Sequence, residues 1–167
     1  MMTFRCTKRL LARMRAAPVT GDDDAPTTIL GDWYANDFVV DRSRFVIAVS
    51  ERSLLPVVVS AAPIKTLVPR TLDAIEDVLR DLGITEPNIA AERRAMESPH
   101  VGVTRSRQVI GSMNDFINLL DAYVRKETLR SASLHAGDAP CSPLGGGRPI
   151  DRARELFADG TRRGGAT

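Results

Sequence analysis

Two apolar runs near the middle of the chain constrain the fold more than any other stretch. Residues 45–49 (FVIAV) and 54–59 (LLPVVV) are rich in β-branched side chains, and residues 51–53 (ERS) separate them. Runs of this composition joined by a few polar residues are typical of a β-hairpin. Because neither run alternates strictly with polar residues, we expect both faces of the hairpin to be covered.

The segments around the hairpin predict a strand and several helices. Residues 3–6 have the pattern of a short strand, and residues 101–108 that of an extended segment. Thr7 suits a helix N-cap, Pro69 suits the first turn of a helix, and Gly83 suits a helix end. Apolar spacing predicts helices at residues 7–15, 69–82, 87–96 and about 109–126. The predicted fold class is α+β, with a small, mostly antiparallel sheet centred on the hairpin and packed by two or three main helices.

The last quarter of the chain has a different composition. From residue 128 onward Ser, Ala, Gly and Pro dominate, and three consecutive glycines occur at residues 145–147. We therefore expect one ordered domain over residues 1–127 and a largely flexible tail over residues 128–167. Within the tail, residues 150–159 have the pattern of one short amphipathic helix. Earlier in the chain, residues 16–28 are expected to form a loop that carries the acidic run Asp22–Asp24. We expect this acidic loop to be mobile rather than a metal site.

Charge and cysteine content exclude several classes of protein. The chain has 23 Lys and Arg against 21 Asp and Glu, so it has no strong overall field for nucleic acid or a membrane. Its two cysteines, Cys6 and Cys141, indicate neither a disulfide framework nor a zinc site. No apolar run reaches the roughly 20 residues of a membrane helix, and no signal-peptide core is present. We expect a cytoplasmic protein that binds no membrane.

The strongest candidate for a ligand site follows residue 104. In an extended strand, residues two apart share a face about 6.5 Å apart, so Arg105 and Arg107 should project together before a helix N-terminus. Such an arrangement is typical of a phosphate or carboxylate clamp. Alternatively, both arginines form weak surface ion pairs, for example with Glu51 or Asp115. The candidate ligand-binding residues are Arg105, Arg107, Ser112, Asn114, Asp115, Asp32, Trp33 and Asn36.

Two other features have both a structural and a functional interpretation. Trp33, the only tryptophan, either packs on the hairpin with its indole N–H bonded to a carbonyl, or lines a pocket with Asp32 and Asn36. The basic residues Lys8, Arg9 and Arg13 form either a solvated helix face, which is the more common case, or a phosphate-binding patch.

Three stretches together carry a resemblance to a known family: residues 4–11 (FRCTKRLL), 30–36 (LGDWYAN) and 105–115 (RSRQVIGSMND). They resemble DUF6933, an uncharacterised family of small bacterial proteins, over roughly residues 2–125. The resemblance implies a compact bacterial domain. It implies no activity, cofactor or catalytic residue.

Catalytic motifs are not evident. Ser112 lacks a Gly-x-Ser-x-Gly frame, neither cysteine has a histidine at motif spacing, and no glycine-rich phosphate loop ends in Lys. The leading hypothesis is a non-catalytic module that binds an anionic ligand, nucleic acid or a protein partner through Arg105 and Arg107. The alternative is a small hydrolase or nuclease using Asp32 and Asp115 with a metal. A third hypothesis is an accessory subunit with an exposed apolar patch. No cofactor is indicated.

Overall fold

A computed structural model describes residues 1–21 and 24–164 of the chain, so Asp22 and Asp23 of the acidic run lie outside the described residues. The described part contains the strands β1 (Thr3–Cys6), β2 (Trp33–Val40), β3 (Ser43–Ser50), β4 (Pro56–Ser60) and β5 (His100–Val103). Its helices are α1 (Lys8–Met14), α2 (Leu67–Asp81), α3 (Glu86–Met96), α4 (Arg107–Tyr123), α5 (Leu129–Gly137) and α6 (Pro149–Gly164). None of the described helices combines the length and the apolar character needed to span a bilayer.

The sheet has five strands in the order β4-β3-β2-β1-β5. The predicted hairpin is confirmed, because β3 and β4 pair antiparallel with Ile47 opposite Val58. The β2–β3 pair is also antiparallel, whereas β1 runs parallel to both β2 and β5. The sheet is therefore mixed, and the expectation of a mostly antiparallel sheet is corrected on this point. Parallel partners are distant in sequence, so the local pattern of β1 contains no sign of them.

Helices cover both faces of the sheet, as the uninterrupted apolar runs predict. Along β2 the side chains alternate, so Trp33 belongs to one buried cluster and Tyr34 to the other. The Trp33 cluster includes residues from α1, α2, α3 and α6, and the Tyr34 cluster includes residues from α4 and α5. The fold class is α+β.

Residues 128–164 are more ordered than their composition indicates, and residues 165–167 of the predicted tail lie outside the described residues. The predicted helix at residues 150–159 lies within the longer α6, and a further helix, α5, precedes it. Both helices pack on the core rather than forming a flexible tail. Ala132 and Ala136 of α5 and Ala153 and Phe157 of α6 are buried. The small side chains of α5 allow this helix to approach β4 closely, but a segment rich in such residues has the composition of a linker. The core thus extends beyond residue 127.

Both outer strands have hydrogen-bond partners at their edges. The amide of Val58 in β4 donates to Oγ of the buried Ser133 in α5 (2.9 Å). At the opposite edge the amide of Val19 donates to the carbonyl of Val101 in β5 (2.8 Å). Occupied edge groups reduce the tendency of a sheet to pair with another chain.

Candidate functional site

Arg105 and Arg107 do not lie on one strand, because the backbone changes from extended to helical between them. Strand β5 ends at Val103, Arg105 lies in the connection, and Arg107 is the first residue of α4. Ser106 between them is the N-cap, whose side chain accepts the Val109 amide. The expectation that both arginines share one face of a strand is therefore wrong, although both side chains are exposed near the start of α4.

The other predicted residues of α4 point in different directions. Ser112 is buried, whereas Asn114 and Asp115 are exposed. Ser112 and Asp115 both line a small cavity of about 130 Å³ together with Cys141. Burial raises the pKa of the Cys141 thiol, and the charge of Asp115 raises it further, so the thiol is poorly suited to act as a nucleophile at neutral pH.

Asp32 is occupied by structural contacts. Its Oδ2 accepts Arg5 Nε at 2.9 Å and its Oδ1 accepts the Thr3 amide at 2.9 Å. The two side chains of the Arg5–Asp32 pair are only 6% and 4% exposed. Across the described ranges, no group of three or more His, Cys, Asp and Glu side chains could hold a metal ion. The geometry of Asp32 therefore gives the metal-dependent alternative no support.

Trp33 and Asn36 make structural contacts of their own, whereas the hydroxyl of Tyr34 between them accepts the Ser106 amide of the Arg105 segment at 3.2 Å. The Trp33 side chain is fully buried in the cluster opposite α4, and among the described residues its indole Nε1 has no hydrogen-bond partner. The predicted bond from this indole to a carbonyl is therefore wrong. Asn36 Oδ1 accepts the hydroxyl of Thr7 at 2.8 Å and the amide of Asp37. Asn36 thus connects β2 to the start of α1.

The structure reveals a second group of charged residues, which we call the Asp37 cluster: Asp37, Arg9, Arg13 and Arg44. The Asp37 side chain is 0% exposed, and its two carboxylate oxygens face three guanidinium groups. Arg9 Nε lies 2.6 Å from Oδ1, while Arg13 Nε and Arg44 Nη1 each lie 2.7 Å from Oδ2. Three positive charges against one negative charge give the cluster a net charge of +2.

Secondary structure explains why these four residues meet. Arg9 and Arg13 are four residues apart on α1, so they lie on the same side of the helix. In the β2–β3 register Val39 is opposite Arg44, which places Arg44 on the same sheet face as Asp37. Arg9 Nη2 also donates to the Asp37 carbonyl at 2.5 Å. Helix α1 is thereby joined to two strands.

The arginines keep Asp37 ionised. Burial alone would raise the pKa of Asp37, but hydrogen bonds from Arg9 and Arg44 and the charges of Arg9 and Arg13 outweigh burial, so the pKa lies below its ordinary value. The arginine side chains themselves remain 59%, 40% and 35% exposed for Arg9, Arg13 and Arg44. Positive charge is thus presented to solvent above a buried carboxylate.

An open groove of about 830 Å³ adjoins the Asp37 cluster. We call it the arginine groove, and it lies between the end of α1, the start of β3 and the segment after β4. Its lining comprises Ala12, Arg13, Arg15, Ser43, Arg44, Phe45, Ser60, Ala61, Ala62 and Ile64. The groove therefore combines three arginines with several small or apolar residues.

Two arginines near this groove occupy backbone conformations that favour glycine. Arg15, which lines the groove, has φ 51°, and Arg42, directly before the groove residue Ser43, has φ 69°. A left-handed conformation costs an L-residue roughly 1–2 kcal/mol. Glycine at either position would avoid that cost, so the long basic side chain is present at positions where the backbone disfavours it.

Sequence reasoning identified only part of this site. The basic face of α1, with Arg9 and Arg13, was evident as a possible phosphate-binding patch, whereas Asp37, Arg44 and Arg15 were not considered. Asp37 is a single acidic residue within the mainly apolar β2 segment. A charge inside such a strand is a signal that could have prompted a search for buried arginine partners.

The protein is thus an α+β protein with a mixed five-stranded sheet. The arginine groove adjoins the Asp37 cluster at the end of α1 and the start of β3. The family model of DUF6933, a domain of unknown function, matches residues 3–152, so the chain belongs to that family. The match continues past residue 127 and includes all of α5. A comparison with curated proteins gives no match.

Proposed function

We propose that this protein is a non-catalytic binding module that takes an anionic ligand in the arginine groove. The observation that carries the proposal is the imbalance of charge in the Asp37 cluster, in which one buried carboxylate faces three partly exposed arginines. A carboxylate that only needed a counter-charge would require fewer cationic partners. The excess positive charge favours an additional negative group from outside the chain.

The arginines retain donors for such a group. A guanidinium has five N–H donors, and the closest contact between Arg13 and Asp37 uses Nε. Arg13 Nε and Arg44 Nη1 contact the same oxygen at 2.7 Å, so these nitrogens lie within twice that distance of each other. One tetrahedral oxyanion could accept hydrogen bonds from both side chains. Asp37 would orient the guanidinium groups before the ligand arrives, which lowers the entropic cost of binding.

The segment with Arg105 and Arg107 stays a second candidate surface for the same function. Both side chains are exposed beside the N-terminus of α4, where an anion would be favoured. Unlike Arg13 and Arg44, these two residues do not line the arginine groove. We therefore place the anion in the groove and use the Arg105 segment as a competing location in the experiment.

The experiment is a calorimetric titration with pyrophosphate at low and moderate salt. We expect the unmodified chain to bind, and the Arg13→Ala/Arg44→Ala variant to bind at least tenfold more weakly, since two charge-assisted contacts are lost. The matched control is Arg152→Ala/Arg162→Ala, which removes one partly exposed and one exposed arginine from α6. Affinity should also fall as salt increases, because the contacts are electrostatic.

Three outcomes would contradict this assignment. The proposal fails if the unmodified chain does not bind pyrophosphate, or if the Arg13→Ala/Arg44→Ala variant binds as well as the unmodified chain. Loss of binding in Arg105→Ala/Arg107→Ala alone would move the site to the start of α4. Circular dichroism and a thermal melt of every variant separate lost binding from lost folding.

A further inference from the structure

We infer that the ligand of the arginine groove is a small phosphomonoester attached to a flat apolar body, rather than a bare anion or a nucleic-acid strand. This inference rests on the proposed function and concerns the chemistry of the ligand. Its basis is the uneven lining of the groove. Arginines provide the charged part, whereas Ala12, Ala61, Ala62 and Ile64 provide an apolar part.

The apolar part of the groove is low and open. Ala12 and Ala62 are exposed, Ile64 is partly exposed, and Ala61 is buried. Side chains this short leave room for a flat group above them. A bare phosphate would contact only the arginines and leave the alanines and Ile64 in water, so it would gain nothing from apolar burial.

The far wall of the groove is held in place by Arg70 of α2. Its Nη1 donates to the Ser60 carbonyl at 2.7 Å, and its Nη2 donates to the Pro63 carbonyl at 2.7 Å. These bonds secure the segment that carries Ala61, Ala62 and Ile64. A wall fixed in this way provides a preformed surface, which is usual for small-molecule sites.

The dimensions also favour a small molecule over a polymer. A volume of about 830 Å³ lies within the usual range for small-molecule pockets. Sites that bind single-stranded nucleic acid combine a long basic track with aromatic rings on which the bases stack. The only aromatic residue in the lining is Phe45, which is partly buried and packs against Phe38 with ring centroids 5.6 Å apart. The described groove thus lacks the stacking surface that a strand would use.

The test compares three probes by calorimetry: inorganic phosphate, phenyl phosphate and a single-stranded oligonucleotide. We expect phenyl phosphate to bind at least tenfold more tightly than inorganic phosphate, because only phenyl phosphate covers the apolar part. The oligonucleotide should bind more weakly than phenyl phosphate at equal phosphate concentration.

Two variants of the apolar part complete the test. Ala12→Leu places a larger side chain over the apolar part without replacing an arginine, and Ile64→Ser removes apolar surface. Both should reduce the affinity for phenyl phosphate about tenfold and leave the affinity for inorganic phosphate unchanged. The control is Ala95→Leu on α3, which is distant in sequence and lines a different cavity.

The outcomes distinguish this inference from the proposed function. If none of the three probes binds, the proposed function fails and the inference fails with it. The inference is contradicted if inorganic phosphate binds as tightly as phenyl phosphate, or if neither groove variant changes the ratio of the two affinities. In that case the proposed anion binding is retained, but a ligand with an apolar body is not supported. Tighter binding of the oligonucleotide than of phenyl phosphate would likewise overturn the inference in favour of a nucleic-acid strand.

Discussion

Asp32 directly precedes β2, and Asp37 lies within this strand five residues later. Both aspartates are buried, yet their surroundings differ. Asp32 pairs with one arginine, Arg5, which is itself only 6% exposed. Asp37 faces three arginines that are 35% to 59% exposed. The first pair balances its charge inside the protein. The second group brings excess positive charge to the surface, beside a groove.

The comparison shows that a buried carboxylate has two different uses in this sheet. At Asp32 the carboxylate satisfies Arg5 and the Thr3 amide, so its contacts join β1 to the start of β2. At Asp37 the carboxylate orients arginines whose outer surfaces remain available. Burial of an aspartate therefore does not by itself identify a functional site, whereas the exposure and number of its partners do.

The largest expected effect comes from Asp32→Asn. Removing this charge leaves Arg5 buried without a counter-charge, which we expect to reduce the free energy of unfolding by about 3 to 5 kcal/mol. Urea unfolding followed by circular dichroism measures the change. A double change to Arg5→Met and Asp32→Leu removes both charges and should recover part of the loss; a double variant even less stable than Asp32→Asn would contradict this explanation.

Asp37→Asn should reduce the free energy of unfolding by less, about 1 to 3 kcal/mol. This is expected although Asp37 is the more deeply buried of the two aspartates. Its three arginine partners can be solvated after the change, because each already contacts water. The same urea experiment measures this change in the free energy of unfolding. A loss as large as that of Asp32→Asn would show that the Asp37 cluster serves mainly to hold the fold together.

A pH series provides the control for Asp37. Because its pKa is lowered in the folded protein, the stabilisation from Asp37 is complete above the ordinary aspartate pKa of about 4 and is lost as pH falls through the lowered value. The stability difference between the unmodified chain and Asp37→Asn should therefore be constant near neutral pH and shrink under acidic conditions. A difference that persists at low pH would mean that the contribution of Asp37 does not depend on its charge.

The smallest expected effect has the opposite sign. Arg42→Gly should raise the free energy of unfolding by about 1 kcal/mol, because glycine adopts the left-handed conformation without the steric cost of a side chain. Arg42→Ala is the matched control, since it removes the charge and keeps the cost. If both variants stabilise the chain equally, repulsion among the arginines rather than backbone strain is the cause.

Some parts of the fold could be predicted from the local sequence pattern alone. The hairpin of β3 and β4 followed from two β-branched runs, and α2 followed from apolar spacing between Pro69 and Gly83. Both features depend on residues close together in the chain. The parallel pairing of β1 and the packing of α5 depend on partners far away in sequence. Alanines and serines of α5 contact β4 directly, but their composition resembles that of a linker.

The candidate site was only partly accessible from the sequence for a similar reason. Arg9 and Arg13 were recognisable as a basic helix face, because their spacing on α1 is a local property. The position of Arg44 beside Asp37 depends on the register between β2 and β3, and the groove depends on where the segment after β4 returns to α1. Neither can be obtained from residue types alone.

The burial of Trp33 has a practical consequence. As the sole tryptophan, shielded from solvent and without a partner for its indole N–H among the described residues, it should emit at short wavelength in the native state and shift to longer wavelength on denaturation. Along β2 it is five residues from Phe38, the strand partner of Phe45, or about 16 Å. Its fluorescence should consequently monitor unfolding without being quenched directly by a molecule seated near Phe45.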